Sequence, residues 1–123
     1  MSKILVVDDD PTTRYLIAEI LKRKYGHEVS QAENGREAMG ILREVKPDLI
    51  VSDVFMPEAD CVTDGITLLS TLRLGGDDIP VILISCSLPD DLRSAVKRAD
   101  AFFEKPLDFS ELHKCINRLL SQQ

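Results

Sequence analysis

The chain has 123 residues, 44% of them hydrophobic, and a formal net charge of −6. That length suits one domain with a real core, and no apolar run is long enough to cross a bilayer or to form the hydrophobic region of a signal peptide. The acidic balance argues against a nucleic-acid surface, which needs a basic face; Cys61, Cys86 and Cys115 have no metal-ligand spacing and suit reduced thiols in a cytoplasmic protein.

The first element is "KILVV" (3–7), a continuous apolar run that reads as a strand buried on both faces. Three aspartates follow at once, Asp8, Asp9 and Asp10, and then Pro11, which suits the first turn of a helix with Asp9 or Asp10 near its N-cap. Tyr15, Leu16, Ile20 and Leu21 keep helical spacing towards Gly26. "HEVSQA" (27–32) alternates like a short strand, and 33–45 carries a helical stripe of Ala38, Ile41, Leu42 and Val45 that Pro47 stops. "DLIVSDVF" (48–55) is the third strand. A loop with Pro57 leads into a helix holding Ile66, Leu68, Leu69 and Leu72, closed by Gly75 and Gly76. "PVILIS" (80–85) is the fourth strand, Pro89 to Arg98 a short helix, "AFFEK" (101–105) the fifth strand, and 108–120 a final helix begun by an Asp or Ser cap. Strand and helix alternate five times, which predicts a parallel sheet with helices on both faces and right-handed crossovers.

Sheets of this kind bind ligands beyond the carboxyl ends of their strands. Those ends carry Asp8 and Asp9 on strand one, Asp53 on strand three, Ser85 on strand four and Lys105 on strand five. Carboxylates gathered on one rim make a hard-oxygen site suited to Mg²⁺, and a lysine and a hydroxyl beside them suit a phosphoryl group. The set points to metal-assisted phosphoryl transfer.

"VVDDD", "DLIVSDVFMP", "PVILIS" and "FFEKP", in this order, resemble the receiver domain of two-component response regulators, of the single-domain chemotaxis type. The resemblance implies a flavodoxin-like, doubly wound sheet of order 2-1-3-4-5 with five helices, spanning 1–123 as one domain with no output domain. It implies Asp53 as phosphoacceptor, Asp9 as a direct Mg²⁺ ligand, Asp8 as a ligand through water, and the backbone carbonyl of Phe55 as a further ligand. Ser85 and Lys105 would each meet a phosphoryl oxygen, Ser85 and Phe102 would form the switch, and the Lys105–Pro106 peptide would be cis. The implied partners are a sensor histidine kinase or phosphotransfer protein and a downstream protein reading the helix 4, strand 5 and helix 5 face, with no nucleic acid and no membrane. On this reading Asp10 is a cap, and His27 and His113 are surface residues.

Two departures from the family pattern stand out. About four extra residues separate Pro57 from Gly65 and form the insert 58–64, expected to shape partner docking. The stretch from Ser85 to Lys105 is about two residues short, which should trim helix four or the loop before it. Two rival readings remain open. "VVDDDPTT" also fits the DxDxT signature of haloacid-dehalogenase-type phosphatases, with Asp8 as nucleophile and Asp10 as acid/base, and a receiver-like binding module need never be phosphorylated.

Overall fold

The structure is a computed structural model that describes residues 2–54, 64–86 and 90–122. Five parallel strands form one sheet in the order β2-β1-β3-β4-β5: β1 Lys3–Val7, β2 Glu28–Ala32, β3 Leu49–Asp53, β4 Val81–Ser85 and β5 Ala101–Glu104. β3 and β4 are buried along their whole length, β4 as an apolar run up to Ser85 and β3 with the polar Ser52 and Asp53 buried at its end, whereas the edge strands β2 and β5 are only partly covered. Among the described residues no helix is long and apolar enough to cross a membrane.

Side chains alternate across a strand, and each face has its own core. Ile4, Val6, Leu49, Val51, Ile82 and Ile84 pack with Ile17 and Leu21 of helix α1 (Pro11–Glu19 with its continuation) and with Leu112, Ile116 and Leu119 of α5 (Phe109–Ser121). Leu5, Val7, Ile50, Val81 and Leu83 pack with Ala38 of α2 (Gly35–Val45), Leu68, Leu69 and Leu72 of α3 (Asp64–Leu74), and Val96 of α4 (Arg93–Val96). α1 and α5 therefore cover one face, and α2, α3 and α4 cover the other.

Helix ends follow the local chemistry. Asn34 caps α2 by accepting the Glu37 N–H, and Asp108 caps α5 by accepting the Glu111 N–H. Asn34→Ala should cost about 1 kcal/mol of stability in a denaturant melt, since it leaves an end N–H without its partner. α2 ends at Lys46, in the left-handed region at φ 53°, because the following Pro47 disfavours a further helical residue.

Two elements differ from the sequence expectation. The helical stripe after Pro11 does not run as one α-helix: Ile20–Lys24 is a π-turn that continues α1, and Gly26 takes a positive φ beyond it. The helix expected over 89–98 is reduced to a 3₁₀ turn at Asp90–Leu92 and a single α-turn, α4, consistent with the short stretch between Ser85 and Lys105.

Candidate functional site

Strand register builds the site. Val7 pairs with Ser52, so Asp8 and Asp53 are the next residues on neighbouring parallel strands. Ser85 pairs with Glu104, and the Lys105 N–H donates to the Ser85 carbonyl at 2.8 Å, which brings Lys105 to the same rim. Alternation then sorts the side chains. Asp8, Asp53 and Lys105 continue the rows that face α1 and α5. Ser85 continues the row of Val81 and Leu83 on the opposite face, where Phe102 also packs, paired in register with Leu83. Phe103 packs on the α1 and α5 side, as alternation demands.

Lys105 Nζ lies 3.0 Å from Asp53 Oδ2 and 3.3 Å from Asp8 Oδ2. Asp8 is fully buried, and its other oxygen accepts the Asp10 N–H at 2.9 Å. Burial raises the Asp8 pKa from 3.8 to about 6; the Asp10 N–H opposes that, the Asp53 charge adds to it and Lys105 opposes it again. Burial also works against the charge on Lys105, but the bond to Asp53 and the charges of Asp53 and Asp8 hold its pKa above the ordinary lysine value. Asp53 keeps 7% of its surface open to solvent and Ser85 keeps none.

Carboxylate oxygens of Asp8, Asp9 and Asp53 lie within 4.8 Å of one another, close enough to share one cation. Lys105 brings one positive charge to three carboxylates, and Asp8 is held towards its protonated form. A hard divalent cation would relieve both, so the donor set fits Mg²⁺.

Asp10 does different work. It caps α1 by accepting the Thr12 N–H, and its other oxygen accepts the Thr13 hydroxyl. These bonds, the Thr13 one foremost, lower its pKa, which suits a cap and ill suits the proton donor of a phosphatase.

Two positioning residues were not singled out from the sequence. Arg14 donates to the Asp8 carbonyl at 2.9 Å and to Gln31 Oε1 at 3.2 Å, tying the acidic turn to α1 and to the end of β2. Gly65 lies against the backbone of Asp53: a Cβ there would collide with the Asp53 carbonyl oxygen and come within 3.0 Å of Val54 Cα. The "DG" at 64–65 carried that signal, since a glycine opening a helix beside a strand end marks a close backbone approach. Gly65→Ala should destabilise the fold by about 2 kcal/mol in urea, because backbone cannot yield as a flexible side chain does.

The Lys105–Pro106 peptide is cis. Phe55 and the insert residues 58–63 lie outside the described residues, as does Cys61. Cys115 is buried and Cys86 is exposed. One expectation is overturned: His27 is buried, with its Nε2 3.0 Å from Nε2 of His113, because the turn after Gly26 carries it beneath α5.

A sequence model of the response regulator receiver domain matches residues 4–117. The chain belongs to the response regulator receiver family. This receiver is 33% identical to protein PilH of Pseudomonas aeruginosa over 98% of its own length and 99% of that protein. It is 33% identical to the response regulator MprA of Mycolicibacterium vanbaalenii over 96% of its length, but spans only 50% of that protein. Among solved structures it resembles the receiver domain of the Francisella response regulator 1452, with TM-score 0.86, 30% identity, and coverage of 99% and 98% of the two chains. It also resembles TrrA of Thermotoga maritima, solved in complex with Mg²⁺-BeF, with TM-score 0.82, 32% identity, and coverage of 97% and 99%.

Proposed function

We propose that this receiver accepts a phosphoryl group on Asp53 from a phosphohistidine of a sensor kinase or phosphotransfer protein, in a Mg²⁺-dependent reaction in the cytoplasm. The observation that carries the reading is Lys105, held at hydrogen-bond distance from the buried Asp53 and Asp8 on a rim of three acids. An Asp53 oxygen attacks phosphorus, the P–N bond breaks, and the partner imidazole leaves with the electron pair and takes up a proton. Asp53 keeps a little surface open to a donor and lies 3.0 Å from Lys105 Nζ, whereas Asp8 is closed to solvent and poorly placed to meet a donor. Lys105 transfers its contact from carboxylate to phosphoryl oxygen, and the Ser85 hydroxyl meets a second oxygen. Asp8, Asp9, Asp53 and the Phe55 carbonyl would hold Mg²⁺, which neutralises the anionic charge that otherwise repels the phosphoryl group. Its similarity to a protein solved with Mg²⁺-BeF supports this assignment.

Output would run through protein contact at α4, β5 and α5, with neither nucleic acid nor membrane. Phe102 suits a switch there: it is half-buried and lines a cavity of about 410 Å³ with Arg93, Val96, Lys97, Ala99 and Ala101. Movement of Ser85 towards the phosphoryl group would open room on the face that Phe102 shares.

The test is incubation with Mg²⁺ and a small phosphodonor. Intact mass should rise by one phosphoryl group, and borohydride trapping with peptide mapping should place it on Asp53. No mass gain, with the protein folded and Mg²⁺ bound, would leave the module that is never phosphorylated. A gain on Asp8 would favour the phosphatase.

A further inference from the structure

The two histidines of the chain lie 86 residues apart in sequence and meet at the end of the sheet opposite the acidic rim. His27 precedes β2 and is 8% exposed; its N–H donates to the Leu21 carbonyl at 3.1 Å. His113 sits on α5, half-buried, with the Tyr25 ring stacked on it at 3.6 Å between centroids and 12° between planes. The centroids of the two imidazoles are 5.2 Å apart and their Nε2 atoms 3.0 Å apart. The 2.2 Å difference between those separations is about two ring radii, so the rings point nearly end to end. That is the geometry of one shared hydrogen bond. Two lone pairs converging on a metal would set the rings at a sharper angle.

We propose that the His27–His113 contact is an acid-released latch, which fastens α5 to the start of β2 while the pair carries no more than one extra proton. With both rings neutral, one Nε2–H lies between them. The first extra proton belongs on His113: this ring is the less buried and the Tyr25 face favours a cation, while the Asn117 amide, whose Nδ2 lies 3.4 Å from Nδ1, must turn over so that its oxygen accepts from the charged ring. A charged His113 still donates to His27, so the contact survives. A second proton must go to His27, whose Nδ1 is buried without a hydrogen-bond partner among the described residues. Two N–H groups would then face each other across a buried gap.

The surroundings give that second charge no relief. Lys24 lies 5.5 Å from the centre of the Tyr25 ring, and a charge on His113 acts directly against a proton on His27. Of the carboxylates on the adjoining elements, Glu28 and Glu111 are exposed and Glu111 pairs with Lys114, Asp108 caps α5, and Glu19 of α1 is engaged by Arg23. Lys3 of β1, beside Glu28 in register, adds a further positive charge. Burial holds both imidazoles below the ordinary value of 6.5, and His113 pushes His27 lower still. The folded chain thus binds fewer protons than the unfolded chain on the acid side of 6.5. The latch is at full strength above that pH and is lost as pH falls through the depressed values.

Hydrogen exchange read by NMR between pH 7 and pH 5, corrected for intrinsic rates, tests the latch. Protection at 112–116 in α5 should fall by up to about tenfold per pH unit in the wild type, and β3 amides should fall no faster. His113→Phe, which keeps the stacking and removes the proton, should abolish the pH dependence, and so should His113→Gln. Histidine ring resonances should show coupled titration. Three outcomes would each overturn the latch: independent titration of both rings with flat α5 protection, an unchanged pH dependence of α5 protection in both variants, or stoichiometric Zn²⁺ binding that either variant removes.

Discussion

Asp53→Asn should take up no phosphoryl group from a small donor under conditions that fully modify the wild-type receiver. The substitution keeps the shape of the side chain and removes the only property the reaction needs from it, an anionic oxygen with a lone pair to give. Lys105 retains Asp8 as a partner at 3.3 Å, so the rim should not collapse. Two of the neighbouring acids offer no substitute. Asp8 is closed to solvent, and Asp10 is engaged by Thr12 and Thr13. Intact mass spectrometry reads the result directly, and persistent phosphorylation on another acid would remove Asp53 from its assigned role.

Asp8→Asn should make the metal-free receiver more stable at pH 7.5, not less. An acid whose folded pKa stands at about 6 against 3.8 is a poor tenant of its site when charged, and the difference corresponds to about 3 kcal/mol. The sign follows from proton binding. Between those two values the folded chain holds more protons than the unfolded chain, so the penalty is fully present above about pH 6 and gone below about 3.8. Asparagine carries no charge and can still accept the Asp10 N–H. The gain in urea stability should therefore shrink as pH falls and disappear near pH 4. Saturating Mg²⁺ should reverse the order, because the wild type gains binding energy that the variant lacks. A variant less stable than the wild type at pH 7.5 without metal would mean that Lys105 already compensates the Asp8 charge.

The strands and the rim were legible because their chemistry is local and emphatic. β3 and β4 are continuous apolar runs that end on Asp53 and Ser85, and a parallel sheet brings such ends together whatever the loops do. Asp10 could be read as a cap because the capping bond spans two residues. The π-turn at Ile20–Lys24 was not legible, since it is a single wide turn in a segment, ILKRK, whose residue types suit an ordinary helix equally well. The shrinkage of the fourth helix showed only as a missing length, which says how many residues are lost but not which ones unwind. His27 escaped altogether. Its partner lies on the last helix, and neither histidine interrupts a periodic pattern that would mark it as buried. Arg14 was hidden for a similar reason: a lone arginine on an amphipathic helix looks like solvent-facing charge until the turn it grips is seen.

The contact between Gly65 and the end of β3 bears on how this receiver could have acquired its long segment after Pro57. The Gly65 N–H donates to the Val54 carbonyl at 3.3 Å, so the chain leaves and returns through a closed neck. Ten residues, 55–64, lie between those two points. With the ends fixed together, the entropy lost on closure grows only with the logarithm of the length. Extending such a loop from six residues to ten costs about 0.5 kcal/mol, a small part of the stability of a domain this size. The segment between Val54 and Gly65 can thus lengthen and diversify almost without thermodynamic consequence for the sheet. The neck at Gly65 insulates inheritance of the chemistry from variation in whatever meets it.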